Sequence, residues 1–249
     1  MARLISEDAL VVASIDKLRG RYAPLAGIVS GSAAYRPHEA LDFDFCIIVE
    51  DDVCDRVAIR IDEVSVDLFV CGATRVKREI EQGHQPHLLR LFAEGRHVFG
   101  DPSISNHLIA VALDVLAGDA RALSPAAAFT IRGRPHNLLR KFASLRFTDR
   151  STAALTAVKL IQDCVEAFFA LRQIWPDGIR QTLSAIRDRD SASGNALERA
   201  LNADLTALTS DMTILEDLVR TMVGDDNAVD EMWIVQGGRP INGNGALDS

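Results

Sequence analysis

Apolar positions change their spacing along the chain. Between residues 6 and 18 they fall at Val11, Val12, Ile15 and Leu18, helical steps, with Ser6 placed to cap the first turn and Gly20 near the end. The period then shortens. Leu25 to Val29 is an apolar run ending at Ser30-Gly31-Ser32, and Asp42 to Val49 alternates as D-F-D-F before C-I-I-V, so both predict strands. Val57 to Ile61 and Val64 to Val70 predict two more strands around a turn at Asp62-Glu63. Helices are expected near 74–81 and 87–94, and Arg96 to Gly100 reads as a last short strand before Asp101-Pro102.

Beyond Pro102 strand signals stop. Helical spacing runs through Ile104 to Leu116, Pro135 to Phe147, Thr152 to Arg172 and Asn195 to Val223. In the third stretch Leu155, Val158, Ile161, Val165, Phe168 and Phe169 are expected to form the buried face. In the last, leucines from Leu197 to Leu218 keep steps of three, four or seven, as a bundle helix does. The expected organisation is α+β: a small sheet with helices over 1–102, a helical bundle over 103–225, and a Gly- and Asn-rich flexible tail over 226–249.

Composition narrows the class. A chain of 249 residues that is 48% hydrophobic and 25% charged buries sizeable cores, which excludes a disordered protein. The net charge of -8 argues against a general binder of nucleic-acid backbones. Cys46, Cys54, Cys71 and Cys164 lack metal-finger spacing, no apolar stretch is long enough to span a bilayer, and Met1 to Asp8 turns acidic before a leader core forms. A cytoplasmic protein with reduced thiols is expected. The charge is unevenly spread: residues 121–150 hold seven basic side chains against one acid, a net of +6, and residues 201–249 hold nine acids against two bases, a net of -7.

The chemistry concentrates between Gly31 and Asp67. On a strand, residues two apart share a face, so Asp42 and Asp44 point together while Phe43 and Phe45 point away. Paired carboxylates repel unless a cation holds them, and oxygen-only donors select hard ions such as Mg2+. A third acid, Asp67, is flanked by apolar residues in V-S-V-D-L-F-V on what should be a neighbouring strand. Upstream, Gly31 lets backbone approach a ligand closely, and the Ser32 hydroxyl with nearby amides suits phosphate oxygens.

Taken together, an apolar strand, Gly31-Ser32, nine intervening residues, Asp42-Phe-Asp44 and an apolar-flanked Asp67 resemble the nucleotidyltransferase superfamily, the polymerase-beta-like fold, over roughly residues 22–101. The segment Glu94 to Gly100 is similar to the end of such domains. The chain departs from the pattern at Leu41, where family members often carry Ser, and at Arg36-Pro37, where they carry Gly, so a differently shaped phosphate loop is expected. The resemblance implies transfer of a nucleoside monophosphate from an NTP, ATP in the first instance, to an acceptor hydroxyl with release of pyrophosphate. It implies Mg2+ held by Asp42 and Asp44, with Asp67 a further metal ligand or the general base, and Gly31 and Ser32 as nucleotide-binding residues.

A small nucleotidyltransferase domain followed by helices is similar in architecture to the aminoglycoside and lincosamide branch, which implies a small-molecule acceptor, an antibiotic among the candidates. Two alternatives stand beside it: an enzyme of the same fold that adenylylates a protein, and a nucleotide-binding regulatory module without turnover. Arg134, Arg140, Lys141 or Lys159 would suit a triphosphate, and Asp204, Asp211 and Glu216 a cationic acceptor, each weighed against an ordinary surface charge. Lys159 also sits four before Asp163. Trp175 and Phe168-Phe169 read as bundle core, Cys46 as a small buried hydrophobe, and His84 with His87 as a surface pair rather than a zinc site.

Overall fold

The computed structural model describes residues 6–18, 20–35, 42–62, 64–225, 234–236 and 239–241. It divides into two compact units, residues 1–120 and 121–249. The first contains α1 (Glu7–Leu18), β1 (Pro24–Ser30), α2 (Gly31–Tyr35), β2 (Asp42–Val49), β3 (Cys54–Ile61), β4 (Val64–Gly72), α3 (Ala73–Gln82), α4 (Pro86–Ala93), β5 (Arg96–Gly100) and α5 (Pro102–Ala117). Every element expected in this stretch is present. The expected Ser6 cap is made, its hydroxyl accepting from the amide of Ala9 at 3.3 Å.

The five strands form one mixed sheet in the order β3-β4-β2-β1-β5, in which only β2 and β4 run parallel. Alternation decides what each face does. Val29, Phe43, Phe45, Ile47, Val49, Val66, Leu68 and Val70 share one face and bury against Leu10, Val11, Ile15 and Leu18 of α1. The opposite parity carries Ile28, Cys46, Ile48 and Cys71, all buried, together with the acids Asp44 and Asp67. Part of this second face is closed by the chain just after α4, since a β-carbon on Gly95 would meet the Ile28 side chain at 2.4 Å. β3 is an edge strand whose second-face positions, Cys54, Arg56, Ala58 and Arg60, are exposed.

The border expected at Pro102 falls later. Helix α5 packs on β1 and β5 and against α3 and α4, and the His97 ring nitrogen Nδ1 meets the buried Ser105 hydroxyl at 2.7 Å, so α5 belongs with the sheet. Composition shifted at Pro102 because strands end there; packing does not.

The second unit contains α6 (Pro125–Leu145), α7 (Arg150–Leu171), α8 (Thr182–Arg189), α9 (Ser191–Asn202), α10 (Leu205–Ser210), α11 (Thr213–Val223) and the short antiparallel pair β6 (Ile234–Gln236) and β7 (Arg239–Ile241). The single long helix expected from Asn195 to Val223 is three. Asp204 caps α10, accepting from the amide of Ala207 at 2.7 Å, and Asp211 ends α10 and accepts from the amide of Thr213, the first residue of α11, at 3.0 Å. The start of α6 lies ten residues before Pro135, at Pro125 behind the Ser124 cap, with Pro135 buried inside the helix. The expected tail from 226 holds the β6–β7 pair; its other residues lie outside those described.

The buried face of α7 also differs from expectation. Leu155 and Val158 are 73% and 55% exposed, while Ala153, Ala157, Leu160, Cys164, Ala167 and Phe168 form the core with Phe142 of α6 and Leu215, Leu218 and Met222 of α11. Alanine and cysteine let helices approach closely, so a face of small residues outcompetes the larger but more scattered set. Phe168 and Phe169 are buried and meet edge to face at 5.5 Å, as expected of core, whereas Trp175 is only half-buried.

Candidate active site

The in-register pairing of β2 with β4 sets Asp44 directly beside Asp67 and Asp42 beside Ser65. Parallel neighbours lie about 4.8 Å apart and share a pleat, so the Asp44 and Asp67 side chains leave the same face together. Both are half-buried. Asp42 lies on that same face by parity, as expected; its side chain and that of Ser32 are outside the described residues.

Gly31 completes the pair from the other side. The chain turns from β1 into α2 here with φ of 64°, a left-handed conformation, and a β-carbon at this position would come within 2.8 Å of Asp44 Oδ2. Ser30, the last residue of β1, is the register partner of Asp44. Glycine is therefore required twice, by the backbone turn and by the carboxylate lying against it. The following turn of helix is anchored from β5: Arg96 donates from Nε to the carbonyl of Ala34 at 2.9 Å and pairs with Glu7 of α1.

Arg56 is a site residue that sequence reasoning missed. From β3 its Nη2 donates to Asp67 Oδ2 at 2.8 Å, and its guanidinium lies over the Phe69 ring at 5.1 Å. The hydrogen bond and charge of Asp67, with a smaller contribution from Asp44, hold the Arg56 proton more tightly than usual. The signal was the alternation in C-D-R-V-A-I-R-I, which puts Arg56 on one face of β3; only the strand register says that this is the acid face.

The remaining candidates belong to the helical unit. Arg134 pairs with Glu166 at 3.3 Å, Arg140 donates to Asn137 at 2.6 Å and Lys159 to the buried Asp163 at 2.6 Å, all within the helical unit. His136, expected at a helix start, is buried in the middle of α6. That unit has an open concavity of about 690 Å3 lined by His136, Arg199, Asp211, Glu216, Asp217 and Arg220 among others. Arg199 and Arg220 both pair with Asp217. Asp204 serves as a cap and is not among its walls.

Two acids beside a tight glycine turn form a hard, oxygen-only donor set next to backbone that a ligand can approach closely. Among the described residues no group of three or more His, Cys, Asp or Glu side chains is arranged to hold a metal. No helix among them is long and apolar enough to cross a membrane.

The sequence matches no known protein family and no curated protein. Among solved structures the chain is similar to a nucleotidyltransferase-like protein from Exiguobacterium sibiricum 255-15, with 14% identity, a TM-score of 0.44, and coverage of 90% of this chain and 78% of that one.

Proposed function

We propose that this chain is a metal-dependent nucleotidyltransferase that moves a nucleoside monophosphate from an NTP, ATP in the first instance, to a hydroxyl of a small-molecule acceptor and releases pyrophosphate. The observation that carries the reading is the Asp44–Asp67 pair, set side by side by strand register with the Gly31 turn against Asp44. Asp42 and Asp44 would hold Mg2+, which their oxygen-only chemistry fits, and the ion supplies charge neutralisation on the triphosphate when bound. The amides of the Gly31-Ser32 turn would bind phosphate oxygens. Arg56 takes Oδ2 of Asp67, which leaves Oδ1 for a cation or for the proton of the acceptor hydroxyl. The concavity of the helical unit carries Asp211, Glu216, Asp217 and Asp225 against Arg199 and Arg220, an excess of carboxylate that supports a cationic acceptor.

The test is incubation with ATP labelled at the α-phosphate, Mg2+ and a panel of hydroxylated antibiotics including aminoglycosides. Label on a small molecule with stoichiometric pyrophosphate is expected. Label on a protein in a lysate would redirect the reading to protein adenylylation, and bound ATP with no pyrophosphate from any NTP or acceptor would overturn catalysis.

A further inference from the structure

Three of the four thiols share the second sheet face. Cys54 on β3 is the register partner of Cys71 on β4, and Cys46 on β2 lies on the same face, opposite Phe69 and one same-face position from Cys71. Exposure falls from the edge strand inward: Cys54 is exposed, Cys71 is 3% exposed and Cys46 is fully buried. The amide of Gly72 donates to the carbonyl of Val53 at 2.9 Å, so the bonded groups are those flanking Cys54 and Cys71, which makes these two a non-hydrogen-bonded antiparallel pair. In such a pair the α-carbons lie about 4.5 Å apart, inside the range that a disulfide spans.

We propose that Cys54 and Cys71 are a redox-active dithiol that closes to a cross-strand disulfide by exchange with a low-molecular-weight disulfide. The Cys54 thiolate attacks one sulfur of the small disulfide; a sulfur–sulfur bond forms to Cys54, the original one breaks, and one small thiolate leaves. The Cys71 thiolate then attacks the Cys54 sulfur and releases the second small thiolate. Two protein thiols are oxidised, one small disulfide is reduced to two thiols, and the two protein protons go to the leaving thiolates.

The surroundings divide these roles. Only Cys54 is open to an incoming molecule, and because partial burial and the neighbouring Cys71 hold its thiol above the usual range, access rather than thiolate population makes it the point of entry. Hydrogen bonds from Cys46 and Cys54, with the charge of Arg75, pull the Cys71 thiol below its usual range despite burial, which favours it as the resolving thiolate. Cys164, in the other unit, is buried with its thiol pushed up to about 12, so it stays out of the exchange. The link ties β3 to β4, the strands that carry Arg56 and Asp67, at the end of the ladder four residues along β4 from Asp67.

The whole chain is treated with oxidised glutathione, blocked with iodoacetamide, and read by intact mass and peptide mapping. We expect the titratable thiols of the unfolded protein to fall from four to two, with a Cys54–Cys71 peptide that dithiothreitol reverses. Cys71→Ser should stop at a glutathione adduct on Cys54, and Cys54→Ser should keep all three remaining thiols. A stable adduct on wild-type Cys54, a Cys46–Cys71 peptide, a Cys54-linked dimer, or no change would each overturn the proposal. The readout does not depend on nucleotide chemistry, and mapping the wild-type chain requires no variant to fold.

Discussion

Oδ2 of Asp44 lies so close to Gly31 that a β-carbon there would come within 2.8 Å of it. The turn out of β1 and the first acid of the site are thus one unit, and substitution at either should be felt by the other. Gly31→Ala should lower unfolding stability by about 1–2 kcal/mol, because an L side chain at φ of 64° is strained and the carboxylate must move. Chemical denaturation measures the first effect, and pyrophosphate release the accompanying loss of transfer.

Asp44→Asn and Asp67→Asn should each reduce transfer by about 10^2- to 10^4-fold while leaving the fold intact. Removing one of two neighbouring like charges relieves repulsion, so the apo protein should be no less stable than the parent. Steady-state rates beside thermal midpoints check both halves; full turnover in both variants would remove these acids from the chemistry.

Arg56 occupies the place of a competing cation at Asp67. Its pair is largely exposed, with 65% of the arginine and 32% of the aspartate side chain open to solvent, and solvent screens such pairs so that they add little to stability. Arg56→Ala should therefore leave stability nearly unchanged and lower the Mg2+ concentration that gives half-maximal transfer. A Mg2+ titration of the variant reads this directly; an unchanged or raised requirement would count against the competition.

Acid should destabilise the protein through its helix caps. Asp101, Asp149, Asp190 and Asp211 accept from the hydroxyl and amide groups of Ser103, Thr152, Ser193 and Thr213, and these bonds hold each carboxyl below its usual range. Their stabilisation is complete above the unfolded carboxylate range and is lost as pH falls through the lowered folded values, below about 4. Urea midpoints at pH 7, 4 and 3 should decline in that order, and Asp190→Asn, which keeps an acceptor oxygen, should decline less steeply.

The buried face of α7 can be tested with two substitutions. Leu155→Ser, at an exposed position, should change stability by no more than about 0.5 kcal/mol, whereas Leu160→Ala, at a fully buried one, should cost about 2–5 kcal/mol.

What the sequence determined by itself was local. An apolar run located β1, and period-two alternation located β2 and β4 and put Asp42 and Asp44 on one face, because neighbouring residues on a strand must point to opposite sides whatever surrounds them. Helical spacing with Ser6 located α1, because residues three and four apart share one face of a helix and a serine side chain can take up a free amide of its first turn. Tertiary structure decided everything that depends on which elements meet. Register placed Asp67 beside Asp44, brought Arg56 to Asp67 and set Cys54 opposite Cys71, and none of these pairings is encoded in spacing along one strand. Close packing chose the alanine face of α7 over the leucine one and kept α5 with the sheet, since burial is a property of two surfaces together. The opening pattern of apolar and polar positions therefore gave the parts, and the contacts between strands made a site from them.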